Sequence, residues 1–258
     1  MQPAHVAPKG HMQATAAFEV GVPTGTIGTI YDTGKTLSDV ARTNMSLTPD
    51  QERQLFDAGV VVVVSPPTIG YHFAGYYTPV DRRELGNRYA GGAWRGGARY
   101  QILSHDTGPL DMTLGAGVSY YSYEIPLASY IPVLEVDDFT RWTVDVPLQI
   151  GTSRKYYRVW GGPKFLYSHF ATAIRLSIPG VPTPDLASFE GHSLYYGGQA
   201  GFAIGYRYVF LAIELTIAGI SGVGDVKTAP VRNGEPLAHN TDISGYIIYP
   251  AVGLIGEF

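Results

Sequence analysis

Apolar and polar side chains alternate one by one through most of this chain, which is the pattern of β-strands with one apolar face. In LDMTLGAGVSY, Leu110, Met112, Leu114 and Val118 share one face, and Asp, Thr, Gly and Ser occupy the positions between them. Ten segments of this kind predict strands at 11–22, 67–78, 83–90, 93–104, 109–122, 139–151, 157–170, 193–205, 208–220 and 243–258.

The lengths of the segments and of their connections favour a membrane-spanning barrel. Strands of soluble domains centre on about 5–6 residues, whereas tilted membrane strands need about 9–11, and most of these segments are longer still. The connections after the second, fourth, sixth and eighth segments are short, and the long ones are 23–66, 123–138, 171–192 and 221–242; the short link after the third segment, AGG, is the exception on the long side. Short turns at one end and long loops at the other are typical of outer-membrane barrels. We therefore expect residues 1–258 to form one all-β domain, an antiparallel transmembrane β-barrel of about ten strands.

The C-terminal strand carries a resemblance to a known class of proteins. In YPAVGLIGEF, Ile248, Val252, Leu254 and Phe258 continue one apolar face to the last residue. VGLIGEF resembles the C-terminal strand of bacterial outer-membrane β-barrel proteins, which alternates apolar residues and ends in Phe. The resemblance implies an integral protein of the bacterial outer membrane that contacts outer-membrane lipid and is recognised by the outer-membrane assembly machinery. It also implies periplasmic short turns, extracellular long loops and periplasmic termini, with residues 1–10 as an N-terminal periplasmic segment.

Composition excludes several other classes of protein. Charged residues make up 16% of the chain, against about 25% in typical soluble domains. The net charge of −4 and the absence of a Lys/Arg cluster give no reason to expect nucleic acid as a partner. The chain has no cysteine, so disulfides and thiolate ligands are excluded. Its longest apolar run is far shorter than the ~18 residues of a membrane-spanning helix.

The long loop at 23–66 contains a helix signal, SLTPDQERQLFDAG. Thr48 is suited to the N-cap, Pro49 to the first helical position and Gly59 to the stop. One short helix is therefore expected at about 49–58. We expect it to pack on the loop or on the mouth of the barrel rather than to plug the lumen.

The polar face of the strands predicts the contents of the lumen. If Leu, Val, Ile and Tyr face lipid, six basic and five acidic side chains point inward, namely Glu19, Glu84, Arg88, Arg95, Arg99, Asp111, Arg141, Asp145, Arg158, Lys164 and Glu214. Opposite charges in a narrow tube are expected to pair, and ten strands leave little open space. The expected function is a non-enzymatic outer-membrane barrel, either a scaffold or partner-binding subunit or a narrow conduit with an ion-pair-filled lumen. A small-solute channel is an alternative.

Two of these long loops, 123–138 and 171–192, are unusually apolar for loops that face water. They contain Ile125, Leu127, Ile131, Val133, Leu134, Ile174, Leu176, Ile178, Val181 and Leu186. Exposed apolar patches often mark sites of protein–protein contact, so these residues are candidate contacts for a protein partner. The alternative is that the loops fold over the mouth of the barrel as a lid.

Residues at the predicted rim suggest a second class of function, a rim-site hydrolase. The omptin proteases are ten-stranded barrels with paired acids and an acid–histidine pair at the rim, and the corresponding residue types here are Asp137, Asp138, Glu190 and His192. A lipid-modifying serine hydrolase would instead use Ser168–His169 or His192–Ser193. The flanking residues match no omptin motif, and no G-x-S-x-G sequence occurs. We therefore expect no enzyme and assign no catalytic residue.

The last long loop contains Asp225, His239 and Asp242, three side chains able to bind a divalent ion. Their spacing is too loose to predict a metal site. Neither a metal nor a cofactor is expected.

Overall fold

The computed structural model describes residues 1–44, 46–121, 125–181, 184–232 and 234–258 and forms a closed antiparallel β-barrel of ten strands. The strands of the barrel are β1 Met12–Thr24, β2 Thr68–Val80, β3 Arg83–Ala90, β4 Ala93–Leu103, β5 Asp111–Tyr121, β6 Leu134–Ser153, β7 Tyr157–Leu176, β8 Asp185–Tyr206, β9 Val209–Thr228 and β12 Thr241–Glu257. A separate small hairpin in the last long loop comprises β10 Val231–Arg232 and β11 Glu235–Pro236. The expected fold class is confirmed, although residue 122 of the predicted fifth strand lies outside the described residues.

The ring closes between the first strand of the chain and the last. Neighbours in sequence pair around the barrel, and β1 pairs with β12 from Gln13–Glu257 to Thr24–Tyr246. This pairing gives both strands a second neighbour, so that no strand edge is left without hydrogen-bond partners in the hydrocarbon region.

The outer face of the barrel is an apolar band bounded by aromatic residues. Trp94, Tyr120 and Trp142 are neighbours in the register of β4, β5 and β6, and all three are exposed. Leu110, directly before β5, and Tyr120 on β5 are ten residues apart, or about 34 Å at ~3.4 Å per residue. A strand tilt of about 40° reduces this height to about 26 Å, close to the ~25 Å apolar band of outer-membrane barrels. Within the described part of the chain, no helix is both long and apolar enough to cross a membrane.

The wall of the barrel is much higher on one side than on the other. β6, β7, β8 and β9 are 20 to 22 residues long, whereas β3 and β4 have 8 and 11. The predicted loops 171–192 and 221–242 are therefore too long, because β7 extends to Leu176, β8 begins at Asp185 and β9 extends to Thr228. Among the described residues, β5 pairs with β6 only as far as Arg141, so the first seven residues of β6 rise above that level.

The loop between β1 and β2 contains two helices rather than the single short one predicted. They are α1 Thr26–Asn44 and α2 Pro49–Val64, and a single helical turn, α3 Leu127–Tyr130, lies in a later loop. Thr48 and Gln51 form a capping box at the start of α2. The helix then continues through Gly59, six residues beyond the predicted end at 58. Its last turn consists of five valines, Val60–Val64, that are almost completely buried, and a helix that is apolar all round is one that packs on every side.

The long α1 was missed because its sequence is rich in threonine and glycine, which are weak helix formers. Its buried or half-buried positions, Ile27, Tyr31, Gly34, Leu37 and Ala41, nevertheless follow helical spacing. At Gly34 the two helices approach closely, because an added Cβ would lie 2.4 Å from the Cβ of Ala58.

The apolar loop residues form the core beneath these helices and not an exposed partner surface, so the prediction of an exposed patch is wrong. Seven of the ten are buried, namely Leu127, Ile131, Val133, Leu134, Ile174, Leu176 and Ile178. Ile125 packs against the same core, and Val181 and Leu186 are exposed. Together with α1 and α2 they form a lid, which we call the helical cap (residues 25–67 with the loop residues packed on them). This arrangement agrees with the alternative given above, in which the apolar loops fold over the mouth of the barrel as a lid.

The N-terminal residues lie inside the barrel. The expectation that residues 1–10 form a separate periplasmic segment is therefore wrong for most of them. Met1, Ala4, His5 and Ala7 are buried, and the chain reaches the rim of the short-turn end only at Lys9 and Gly10. We call residues 1–7 the N-terminal plug. Its backbone has no strand partner, and the carbonyls of Met1, Pro3 and His5 and the N–H of Val6 bond to side chains of the barrel wall.

We predict that the cost of placing an arginine on the outer face depends on depth. Leu114→Arg, near the middle of the apolar band, should lower the free energy of unfolding by about 2–4 kcal/mol, and Leu110→Arg, on the same face at the edge, by about 0–1 kcal/mol. Urea unfolding in lipid vesicles measures both. Equal losses at the two positions would show that the band is not embedded in a bilayer.

Candidate functional site

All eleven charged residues predicted for the lumen lie on the inward face of their strands. Seven of them are buried in contacts with the plug, the cap or side chains of the barrel wall: Glu84, Arg95, Arg99, Asp111, Arg141, Asp145 and Arg158. The other four, Glu19, Arg88, Lys164 and Glu214, are half-buried and line a central cavity. The lumen is thus divided into a plug layer, a cavity and a cap layer.

In the plug layer, a buried ion pair binds the N-terminal backbone. Arg99 contacts Glu84 with 2.6 Å between Nη2 and Oε1, and its Nη1 donates to the carbonyl of Pro3 at 2.6 Å. Gln101 accepts from the backbone N–H of Val6 at 3.3 Å. Because buried charges are costly unless fully bonded, the plug supplies the acceptor that Arg99 would otherwise lack.

His5 anchors the plug to three strands. Its ring nitrogens lie 2.8 Å from Glu257 and 2.8 Å from the hydroxyl of Ser153, and Arg158 contacts Glu257 at 2.8 Å. Burial lowers the pKa of His5, against the opposing effect of its bond to Glu257. A serine, a histidine and a carboxylate in series are the components of a nucleophilic triad, but none of these described residues lines the cavity. The cluster therefore holds the plug in place.

The central cavity has a volume of about 210 Å³, room for about seven waters at ~30 Å³ each. Its floor includes Met1 and Gln2 of the plug, and its roof includes Val64 and Pro66 at the end of α2. Both ends of the lumen are thus closed by the chain itself.

One wall of the cavity is a two-pronged ion pair that joins β4 to β6 across the intervening strand β5. Nε and Nη2 of Arg95 donate to the two carboxylate oxygens of Asp145 at 2.6 and 2.8 Å. A Cβ on Gly117 would lie 2.3 Å from Cζ of Arg95, so only glycine leaves space for the guanidinium at this point. This pair is complete and leaves neither partner free.

Of the remaining charged groups in the cavity, the two carboxylates have bonded partners and the two cations do not, among the described residues. Glu19 lies 3.5 Å from His72, and Glu214 accepts from the indole N–H of Trp160 at 2.8 Å. Among the residues that the structure describes, Arg88 and Lys164 have no carboxylate within the 4.0 Å of an ion pair and no side-chain hydrogen bond. Both line the cavity.

In the cap layer, a buried arginine binds the end of a helix. Nη1 of Arg141 donates to the carbonyl of Val64 at 2.9 Å, and Tyr195 donates to the same oxygen at 2.9 Å. Arg141 also donates to Ser168 and Tyr195, each at 2.8 Å, and its guanidinium lies 4.7 Å from the ring centre of Tyr121. A cation at a helix C-terminus is favoured by the helix dipole and by the unpaired carbonyls there.

A second contact holds the start of α2 to the last long loop. Arg232 pairs with Glu52 on α2 and, at 2.6 Å, with Asp185 of β8. Burial raises the pKa of Glu52 more than Arg232 lowers it. Arg53 joins the same loop through Glu235 at 2.8 Å. The cap is therefore bound at both ends of α2.

The sequence reading missed several inward residues, including His72, Tyr195 and Glu257. All three lie on the same alternating face as the predicted lumen charges, so strand parity alone would have found them. Val64 and the plug residues follow no alternation, and nothing local in the sequence points to their positions.

The rim residues considered for hydrolysis do not form a catalytic group. Asp137 pairs with Arg175, and Glu190 lies 3.7 Å from His169 and 3.3 Å from Lys227. Ser168 points inward to Arg141, whereas His169, the next residue, lies on the opposite face of the strand. His192 stacks on Tyr167, and Ser193 is buried. Glu190 therefore contacts His169 and Lys227, whereas Asp137 and His192 are each engaged with a different residue.

The three potential metal ligands of the last loop are also separate. His239 lies 3.5 Å from Asp57, Asp225 stands opposite Glu190 in the sheet, and Asp242 is exposed. Within the described ranges, no three histidine, aspartate or glutamate side chains are grouped to hold a metal ion.

Comparisons with known proteins give likeness in fold only. No protein-family model matches the chain, and no curated protein matches it. Among solved structures it is similar to Neisserial surface protein A (8% identity, TM-score 0.34, 98% of this chain and 100% of that one). It is also similar to Ail, the attachment invasion locus protein of Yersinia pestis (9%, 0.29, 97% and 99%), and to CymD, a monoaromatic hydrocarbon channel (8%, 0.28, 97% and 89%). These are outer-membrane β-barrel proteins. Likenesses this distant transfer no function to the chain.

We predict that Arg141 stabilises the end of α2. Arg141→Met should lower the free energy of local opening at Val61–Val64 by about 1.5–3 kcal/mol, the usual value of a hydrogen bond to a charged group. Amide hydrogen exchange of these residues measures the loss. The control, Arg175→Met, breaks a half-exposed pair and should change the same protection by less than about 1 kcal/mol. Unchanged exchange in Arg141→Met would contradict the role assigned to this residue.

Proposed function

We propose that this protein is a non-enzymatic bacterial outer-membrane barrel that is closed at rest and serves as a membrane anchor for its helical cap. The closure of the lumen at both ends is the observation that carries the proposal. The plug fills the short-turn end through Arg99 and His5, and α2 fills the other end through its contact with Arg141. A tube obstructed twice by its own chain is poorly suited to general diffusion.

The outer surface supports the proposed location in the outer membrane. An apolar band about 26 Å high suits a bilayer, and the alternating apolar face of β12 is the surface that we propose the outer-membrane assembly machinery recognises. Placing the cap outside the cell puts the long loops in the extracellular space and the short turns in the periplasm. The solvent face of α1 is polar, with Asp32, Lys35 and Asp39 exposed, and it is the surface that such an anchor would present.

A second candidate is a gated conduit, in which the plug leaves the lumen. It is favoured by the way the plug is held, because residues 1–7 make no strand pairing and depend on side-chain bonds such as Arg99 to Pro3. Even then, α2 obstructs the path. Conduction therefore requires two separate displacements.

We predict that the wild-type protein shows no stable openings in planar bilayers. Removing residues 1–7 alone should give little current, because α2 still closes the other end. Removing residues 1–7 and also replacing 26–64 by a short flexible linker should give steady ion currents. Heat-modifiable migration on gels identifies the folded barrel in each variant.

Large, solute-permeable openings of the wild type would contradict the closed anchor and support the small-solute channel. Steady currents after removal of residues 1–7 alone would instead favour the gated conduit, because they would show that α2 moves readily.

A further inference from the structure

We propose that the central cavity is a binding site for a small oxyanion, a phosphate or a carboxylate, held between Arg88 and Lys164. The proposal does not depend on whether the barrel conducts. It rests on the charge inventory of the cavity, on unused hydrogen-bond donors in its wall and on the place where the cavity meets the rim.

The charges that line the cavity leave two cations unmatched. The lining side chains include four cations, Arg88, Arg95, Arg141 and Lys164, against three carboxylates. Arg95 is occupied by Asp145, and Arg141 by the end of α2. The other two carboxylates, Glu19 and Glu214, already have partners in His72 and Trp160.

Arg88 and Lys164 are the cations that remain. They stand on different strands, β3 and β7, and both line the same cavity. Two cations without a bonded acid are unfavourable when they share one small cavity. An anion placed between them removes the repulsion and accepts hydrogen bonds from both side chains, which is the usual way in which proteins bind phosphate and carboxylate groups.

Tyrosine hydroxyls complete the donor set. Tyr76, Tyr121 and Tyr249 line the cavity, and no hydrogen bond of their hydroxyls to another described residue is seen. A phenol donates readily to an anionic oxygen. The cavity of about 210 Å³ has room for a phosphate or a small carboxylate but not for a lipid acyl chain as well.

The cavity also has a route of entry at the lowest point of the wall. Its lining includes Ala90, Gly91 and Ala93 at the tip of the β3–β4 hairpin, and Pro66 above them. Gly91 and Gly92 both have positive φ, 55° and 80°, as the tight two-residue turn requires. Because this hairpin is short, the rim of the barrel wall lies at the level of the cavity here.

Outside the same hairpin lie Tyr89 and Trp94, whose rings are 5.0 Å apart. Because aromatic residues of this band mark the membrane interface, the entry lies at the level of lipid headgroups. A headgroup phosphate and a free oxyanion from solution are the two sources that can reach it.

Calorimetric titration of the folded protein in neutral detergent, in a buffer of low salt, tests the site. The probes are inorganic phosphate and a short-chain phosphatidic acid that remains monomeric. We expect saturable binding of phosphate in the millimolar range or tighter. Arg88→Gln and Lys164→Gln should each weaken binding at least about tenfold, the loss expected for one charge-assisted hydrogen bond.

Three further variants separate the site from a general effect of charge or folding. Lys155→Gln removes an exposed cation from the β6–β7 turn and should leave binding unchanged. Lys164→Arg keeps the charge and should retain binding to within about threefold. Ala93→Trp leaves both cations in place but obstructs the entry at the β3–β4 hairpin, and it should slow or abolish binding. This variant tests the site even if a variant of Arg88 or Lys164 does not fold.

Phosphatidic acid that binds at least tenfold more tightly than inorganic phosphate identifies a lipid headgroup as the source. Similar affinity for both identifies a free oxyanion. No saturable binding of either probe, up to roughly 10 mM, overturns the proposal. Binding that survives in the double variant Arg88→Gln/Lys164→Gln, or that is lost equally in Lys155→Gln, overturns it as well.

Discussion

The whole structure depends on one constraint, that backbone N–H and C=O groups cannot be left unpaired in hydrocarbon. Pairing of β1 with β12 satisfies it by closing the ring. Closure then decides the side-chain pattern, because every strand places one face in lipid and the other in a narrow lumen. The apolar face supplies the outer band, and the polar face brings eleven charged groups into a confined space. Ion pairs, the plug and the cap bond to several of these groups.

The chain itself supplies much of what those charges require. Arg99 is bonded by the carbonyl of Pro3, and Arg141 by the carbonyl of Val64, so a segment from each end of the barrel acts as a ligand for a buried arginine. The plug and the cap therefore do more than obstruct the lumen. Without them, each arginine would lose a hydrogen-bond acceptor, and a buried charge without its acceptor destabilises the fold. Between them, the cavity keeps the two cations that no described carboxylate pairs with, Arg88 and Lys164.

The sequence predicted the wall of the barrel well and its contents only in part. Period-2 alternation identifies strands such as β5 and the inward position of Arg95, because it depends only on local geometry. For apolar loop residues such as Ile131 and Ile174, the sequence does not distinguish the two possible environments. Burial under a lid and exposure to a protein partner require the same residue types. The plug was beyond prediction because residues such as Pro3 and His5 are held by side chains far away in sequence. The extension of α2 was missed because valine favours strands. In the structure, tertiary packing buries Val60–Val64 and keeps them helical.

The closed lumen is tested most directly by the reactivity of single cysteines, because the chain contains none of its own. Ala4→Cys in the plug and Val62→Cys in α2 replace residues that are 1% exposed, whereas Lys9→Cys and Thr36→Cys lie at exposed positions. A water-soluble maleimide should label the two exposed positions quickly in the folded, membrane-inserted protein. It should label the two buried positions only after denaturation. Labelling of Ala4→Cys and Val62→Cys as fast as the exposed pair would contradict the account of a barrel closed at both ends.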